Sequence, residues 1–502
     1  MFNWLLRQIG LGAAMLPAAA QHRAPPNNPL IAAAHQRLLA AFDNARTTDE
    51  NRRNWWTVDF MSAKAANSYA VRRTLRLRSR DEVCNNPYLF GIVNGNADDL
   101  VAGGPTLQIQ TADRKFNRAV EACWNEWADE VNLVEKLRTL KLAKTVDGEG
   151  FLVLRTVRDM AHAVKLWPCD LEADQVTTPL PLGLMEAVTD GLTLHPVTGR
   201  PTHYEVLRQH PGDFWLPNSN PLAVDKYPAE YVIHWFQKVR PGQVRGIPVF
   251  APSLDLFAEL RSFRRSVLAA AQIAANLTAL LESSAPAPDD DEDDDNPNNP
   301  LPRAPIERGM MTQLPAGFKV TAFDPKHPAT TYDMYMKACI CEAIRPLSYP
   351  LNLALGSSKD FNFSSSKLDI VNYRSSLTIE RAECNRTALN QIFAVWYPEA
   401  VLEGVIPAFD GIKLPPRAWY WPGFEPLDPL VEANADHERR AHGTLTDREY
   451  WARRGFDHHD VYRQLAEEQE ERESLGLVFG APLQRTETET ADAEQEEYAN
   501  VA

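Results

Sequence analysis

The sequence predicts an α+β chain of several domains, and three observations carry that prediction. From Leu256 the apolar residues Leu256, Leu260, Phe263, Val267, Ala270, Ala274, Leu277 and Leu281 alternate steps of four and three without a break. That spacing marks one long helix with a seam for other helices. Before it, short apolar pieces such as Phe151–Leu154, Ala163–Leu166 and Tyr231–Phe236 are separated by turn signals and read as strands. With 502 residues the chain exceeds what one simple core serves.

Taken in order, residues 1–30 read as a flexible arm ending in Pro25-Pro26-Asn27-Asn28-Pro29. Ile9–Ala20 is apolar and ends in three alanines. Arg7 precedes it, but it is short, holds two glycines and a proline and follows Trp4, Leu5 and Leu6 rather than a basic n-region, so it is not expected to act as a signal peptide. Residues 31–60 carry a helical pattern. The stretch 67–81 holds Arg72, Arg73, Arg76, Arg78 and Arg80. Leu75 and Leu77 alternate with arginines there, which fits a strand with one basic face; contact with phosphates is the second, less favoured reading.

A helix is expected from Pro87 to about Leu100, stopped by Gly103-Gly104. Another is expected over 114–144, with Phe116, Val120, Trp124, Trp127, Val131, Val134 and Leu137 on its apolar face. Asp147-Gly148-Glu149-Gly150 then turns the chain into the strand at Phe151.

Pro252 suits the first turn of the long helix, whose first N–H groups have no partner. If it ran over 252–283 it would be about 45 Å long, at 1.5 Å per residue. An insert at 284–326 follows, with seven consecutive acids, Asp289–Asp295, and a short hairpin pairing Gly309–Leu314 with Phe318–Phe323. A second helix covers 328–344. Tyr349–Phe363 is a loop. A further helix starts near Ser364–Ser366, where serine is a good N-cap, and runs to about Trp396. After a proline-rich link, helices are expected at 429–442, 446–454 and 458–475.

The formal net charge of −15 is uneven. The seven acids of the insert and the six after Arg485 account for nearly all of it, so the folded body is close to neutral. Six cysteines without a CxxC pair or zinc spacing read as reduced thiols. No segment reaches the roughly 20 apolar residues of a membrane span.

The catalytic motifs searched for are absent: no Gly-Lys-Ser/Thr loop, GxSxG, HExxH or GxGxxG occurs. No catalytic residue, cofactor or metal is therefore assigned. Asp147 and Glu149 are the pair a metal-dependent nuclease would use, but a turn closing a helix explains them more simply. His458-His459-Asp460 reads as a first helical turn, because adjacent histidines diverge. Asp289–Asp295 lacks the alternating ligands and glycine of a calcium loop and reads as a solvated linker. Arg261, Arg264 and Arg265 would face either DNA or an acidic neighbour.

Across Trp55–Leu477 the chain resembles the lambda-type family of tailed-bacteriophage portal proteins. The resemblance rests on Leu75-Arg76-Leu77-Arg78-Ser79-Arg80-Asp81, Asn85-Asn86-Pro87, Trp124 with Trp127, and Asp147-Gly148-Glu149-Gly150-Phe151. It continues through Leu171-Glu172-Ala173-Asp174, Val232-Ile233-His234-Trp235-Phe236 and Arg240-Pro241-Gly242-Gln243-Val244-Arg245-Gly246-Ile247-Pro248. Phe361-Asn362-Phe363-Ser364-Ser365-Ser366, Ile392-Phe393-Ala394-Val395-Trp396, Asp428-Pro429, Ala441-His442-Gly443 and Gly455-Phe456-Asp457 complete it. The acidic insert departs from the family pattern.

The resemblance implies a portal-type fold: an α/β wing, a two-helix stem, a small α/β clip and a helical crown. Residues 31–251 would begin the wing, 252–283 and 327–345 would form the stem, and 284–326 the clip. Residues 346–365 would be the tunnel loop, 366–425 the tunnel helix and the rest of the wing, 426–480 the crown and 481–502 an acidic tail. The stem seam named above would pack the helices. Lys359, Asp360, Asn362 and Lys367 would face the DNA channel, and Arg303, Arg308 and Lys319 would meet the packaging motor.

The implied function is a ring, usually of twelve copies, at one capsid vertex, through which double-stranded DNA is packaged by the terminase large subunit and later ejected. Major capsid, scaffold and head-completion or tail connector proteins would be further partners, with no membrane. The site of action would be the virion, after assembly in the bacterial host cytoplasm. The alternatives are a metal-dependent nuclease and an intracellular adaptor binding through its acidic segments.

Overall fold

Helices and antiparallel sheets alternate along the chain in an order set by local caps and by one aromatic core. The computed structural model describes residues 61–178, 190–213, 223–276, 280–283, 318–321, 329–359, 361–411 and 413–477. The chain divides into two units at Ser62/Ala63, and the elements below belong to the second. The arm at 1–30, the helical pattern at 31–60, the acidic run and the tail at 481–502 lie outside the described residues.

Helix α1 (Tyr69–Asn85) is followed at once by α2 (Pro87–Val101). Asn86 ends the first and caps the second, its Oδ1 accepting from the Tyr88 amide at 3.1 Å, with Pro87 in the first turn. Strand β1 (Thr106–Ile109) pairs antiparallel with the distant β10 (Arg417–Tyr420). Asp113 caps α3 (Arg114–Glu130), and α4 (Leu133–Val146) follows.

The expected single helix over 114–144 is therefore two. Asn132, at φ +51°, breaks it in the left-handed conformation that Asn tolerates. The break resets the helical phase, so Leu133, Leu137 and Leu140 are buried while Val134 is exposed.

Strand β2 (Glu149–Thr156) is the centre of a three-stranded antiparallel sheet, flanked by β3 (Leu166–Leu171) and β7 (Val232–Phe236). The strand expected over Ala163–Leu166 thus begins only at Leu166. A second sheet takes β4 (Leu192–Leu194), β5 (Pro201–Leu207) and β6 (Val224–Pro228) in that order. Helix α5 (Leu254–Asn276) comes next, then β8 (Leu280–Ser283), β9 (Phe318–Thr321) and α6 (Ala329–Ala343). Beyond these lie α7 (Leu351–Leu355), α8 (Phe363–Cys384), a π-helical turn at Asn385–Leu389, and α9 (Asn390–Leu402). Three short helices, α10 (Pro429–Ala441), α11 (Asp447–Ala452) and α12 (His458–Ser474), follow β10.

The long helix differs from its sequence reading at one end. It stops at Asn276, so it spans about 35 Å. Leu281, assigned to the helical seam, stands in β8 opposite Val320 of β9. The expected hairpin also differs: Phe318–Thr321 pairs with Leu280–Ser283, not with Gly309–Leu314, which lies outside the described residues. A strand partner some forty residues downstream decides this ending, and periodicity cannot see it. The expected loop at 349–363 contains α7, and the cap of α8 is Asn362 rather than a serine.

The core gathers the apolar faces of α2, α3, α4, α5, α6, α8 and α9 with β2. At its middle Trp124 meets Trp127, Trp396, Phe393 and Trp419 at ring-centroid distances of 4.9–5.7 Å. Tilted and edge-on aromatic pairs of this kind add to the burial itself. A smaller core lies between the two sheets, around Phe151, Val153, Tyr204 and Val206. The fold is α+β, and no described helix is long and apolar enough to cross a membrane.

Candidate functional site

The stretch of arginines at 72–80 lies on a helix, not on a basic strand. At helical spacing Arg72, Arg76 and Arg80 share one face, four residues apart. That face is turned inward, so these three serve structure rather than phosphates; Arg73 and Arg78 are exposed. Leu77 is exposed as well.

The inward arginines meet the Asp147-Gly148-Glu149 turn. Glu149 is completely buried at the start of β2. Its carboxylate accepts from Arg245 Nη2 at 2.6 Å, Arg245 Nε at 2.9 Å, Arg76 Nη2 at 2.9 Å, the Gly246 amide at 2.9 Å and His234 Nε2 at 3.2 Å. Burial alone would push this carboxyl up. The Arg245 charge and the hydrogen bonds from His234 and Arg245 outweigh it and hold Glu149 well below the usual range.

Burial pushes His234 down, against the pull of Glu149. A neutral ring with its proton on Nε2 donates to Glu149 and accepts from the Tyr204 hydroxyl at Nδ1, 3.3 Å away. The ring stacks between Phe151 and Phe236, at 4.2 and 4.4 Å.

Around this hub, Arg80 makes a two-pronged pair with Asp147 at 2.7 and 2.6 Å and also reaches Asp174. Arg76 bridges Glu149 and Asp174, and Arg72 pairs with Asp190. The network fastens α1 to both sheets and to the 237–250 segment. It also answers the nuclease reading. Both carboxylates of Asp147-Gly148-Glu149 are paired with guanidinium groups, which compensate their charge without a metal. Glu172, Asp174 and His210 come within 4.8 Å of one another at its edge. Arg80 lies 3.3 Å from Glu172 and 2.9 Å from Asp174, a poor neighbour for a metal.

A second buried ion cluster joins α4 to α8. Lys141 and Lys144 donate to Glu380 at 2.7 and 2.8 Å, and Lys144 also reaches Glu383. Burial would raise Glu380, but the two lysine charges hold it at about 2.

The 349–363 segment begins against α2, and the helix that follows it, α8, is tied to α2 as well. A Cβ on Gly95 would lie 2.5 Å from the Tyr349 hydroxyl, so a larger residue there would push the ring aside. Tyr373 on α8 packs edge-on against Tyr349 at 5.0 Å, accepts from Asn96 Nδ2 and donates to Asp99 Oδ2 at 2.9 Å. Arg381 ties the same helices by donating to the carbonyls of Asp99, Leu100 and Pro422.

Between these anchors Ser357–Lys359 and Asn362 are exposed, and Lys367 is half-buried on α8. Asn362 Oδ1 accepts from the Ser364 amide at 3.1 Å. Asp360 lies outside the described residues, as do Arg303 and Arg308. Lys319 falls in β9, opposite Glu282 in register.

On α5 the seam is used in two ways. Leu256, Leu260 and Phe263 join the core, and Phe263 stacks on Tyr332 of α6 at 5.8 Å and meets Tyr335 at a tilt, 4.7 Å away. Val267 is half-buried and Ala270 is exposed, while Ala274 and Leu277 have no described side chain. Arg261 finds its acidic partner within the chain, Glu82 at 2.7 Å. His458 and His459 open α12, with Asp457 as its cap.

The sequence reading missed the Arg76–Glu149–Arg245–His234 hub. The four-residue spacing of Arg72, Arg76 and Arg80 was the available signal, once read as a helix.

A family model described as "Phage portal protein, lambda family" matches residues 49–381. Over 512 aligned residues the chain is 25% identical to the "Probable portal protein" of Halomonas phage phiHAP-1, covering 95% of this chain and 96% of that one. Among solved structures, it is similar to a chain from the neck of an empty GTA particle computed with C6 symmetry. The TM-score is 0.41 at 13% identity, over 74% of this chain and 90% of that one. A chain from the neck of a native GTA particle computed with C12 symmetry gives 0.38 at 13%, over 73% and 88%.

Proposed function

The chain belongs to the lambda family of phage portal proteins, and on that premise we propose how its parts divide the work of a DNA-conducting ring. A portal protein forms the ring through which the phage genome enters and leaves the head. In this reading the two β-sheet layers and α1–α4 are the wing. Helices α5 and α6 are the stem, and the β8–β9 pair belongs to the clip. The segment between Tyr349 and Asn362 is the tunnel loop, and α10–α12 are the crown.

The observation that supports this division best is the split use of α5. Its first half is consumed by the core and by α6, through Leu260 and Phe263. Its second half shows Leu268, Ala269 and Ala270 to solvent, and α6 shows Met334 and Tyr335. Small residues on an exposed helix face let neighbouring copies approach closely, which a ring wall requires. Twelve copies is the number the family implies.

A conduit must not grip its cargo. Six to ten Lys/Arg–phosphate contacts change DNA affinity by roughly 10³–10⁵ between 50 and 200 mM salt. Repeated on every subunit, such contacts would stall translocation. The near-neutral body, with Arg72, Arg76, Arg80, Lys141 and Lys144 consumed in internal ion pairs, supports a weakly binding channel. Lys359, Asp360, Asn362 and Lys367 are the residues we place nearest the DNA. The clip, with Arg303, Arg308 and Lys319, would meet the terminase large subunit. Capsid, scaffold and connector proteins would bind the outer surfaces, in a virion assembled in the host cytoplasm.

Electron microscopy of the purified protein tests the reading. Rings with countable symmetry are expected, and a monomer that persists at high concentration would sink it.

A further inference from the structure

Two corners of the β3–β2–β7 sheet are complementary in charge, and each carries apolar surface. At one corner β7 ends at Phe236 and the chain turns through Arg240-Pro241-Gly242, with Gly242 at φ +80°. Gln243, almost fully buried, fixes this turn from inside. Its Oε1 accepts from the Val239 and Arg240 amides at 2.9 and 3.3 Å. Its Nε2 donates to the Arg245 carbonyl at 2.8 Å. The braced turn holds Val239 out, 72% exposed, between Lys238 and Arg240. Little entropy remains to be lost when such a side chain is buried.

At the other corner, the chain leaving β2 and the edge strand β3 border an open hollow of about 750 Å³. Val157, Met160, Trp167 and Cys169 supply its apolar lining, and Glu130 and Asp159 its acidic one. A half-buried tryptophan in an apolar hollow is the kind of residue that dominates protein–protein contacts.

The register places these features apart. Phe236 pairs with Glu149 at the start of β2, and Trp167 with Arg155 near its end, on the opposite edge. Knob and hollow therefore occupy diagonally opposite corners of one sheet. A single chain keeps them apart, whereas copies arranged head to tail would set one against the other. A contact between two different patches of identical chains builds a ring when the rotation between copies closes.

We propose that Val239 of each subunit docks into the Trp167 hollow of its neighbour, with Lys238 and Arg240 facing Glu130 and Asp159. The inference rests on the ring function above and names one of its subunit contacts.

Val239→Cys tests it, because Cys169 already lines the hollow. Rings of this variant are treated with diamide, which takes one hydrogen from each thiol as the disulfide forms. Multimers held by disulfides are expected on a non-reducing gel. They should vanish in Val239→Cys/Cys169→Ser, which removes Cys169 but leaves the exposed Cys84 and Cys341. Val239→Asp should raise the protein concentration needed for rings about tenfold, with an unchanged circular dichroism spectrum. Should that variant misfold, Lys238→Glu replaces it, with Asp159→Lys expected to restore assembly. Intact rings that give no cross-link, or a cross-link that survives Cys169→Ser, would overturn the docking and leave the portal function standing. A wild-type protein that forms no rings would overturn both.

Discussion

Arg245 donates to both oxygens of Glu149, with Nη2 2.6 Å from Oε1, and neither side chain has more than 3% of its surface exposed. Arg245 also donates to the carbonyls of Val176, Asp190 and Ala173. One guanidinium thus joins the start of β2 to the segment leading into the second sheet. Charges this deeply buried are tolerable only because every one of them is paired.

Removing one partner leaves the other uncompensated. Arg245→Ala is expected to cost roughly 3–5 kcal/mol, the range for breaking a buried pair. Urea unfolding of the variant against wild type measures it. A change under about 1 kcal/mol would mean that water reaches Glu149.

Glu380 gives the acid limb of the stability curve a defined origin. Its folded value of about 2 lies below the ordinary 4.5. A depressed carboxylate contributes stability above its unfolded value and loses it as pH falls through the folded one. Wild type should therefore weaken between about pH 5 and pH 2. Glu380→Gln should be less stable at pH 7 and flatter over that window, as followed by urea midpoints at stepped pH.

Gly148 sits at φ +88°, and a Cβ there would lie 2.2 Å from the Ile247 carbonyl carbon. The obstacle is backbone, which cannot swing aside as a side chain does. Gly148→Ala should lose about 3 kcal/mol or more, at the upper end of overpacking costs. Soluble yield and thermal midpoint would report it.

If Asp147 and Glu149 serve only ion pairs, magnesium has no part to play. Linear duplex DNA incubated with the protein and Mg²⁺ should keep its length on a gel, and EDTA should leave the thermal midpoint unchanged. Cleavage that disappears in Asp147→Ala would reinstate the nuclease reading.

Deleting residues 287–300 removes the acidic run. Rings should still assemble, seen by negative-stain microscopy at the wild-type concentration. Failure would assign the insert a part in assembly.

Local sequence determined much of this protein. Proline, asparagine and aspartate caps set the starts of α2, α3, α10 and α12. The apolar period placed α5, and motifs spread over the chain identified the family. These features were legible because caps and periodicity act within a few residues. Tertiary structure decided the rest. The end of α5 depends on a strand pairing between Leu281 and Val320. The roles of Arg72, Arg76 and Arg80 depend on carboxylates about 70 to 120 positions away. A charge reads as solvent-facing until its partner is known, and that partner is brought to it only by the fold.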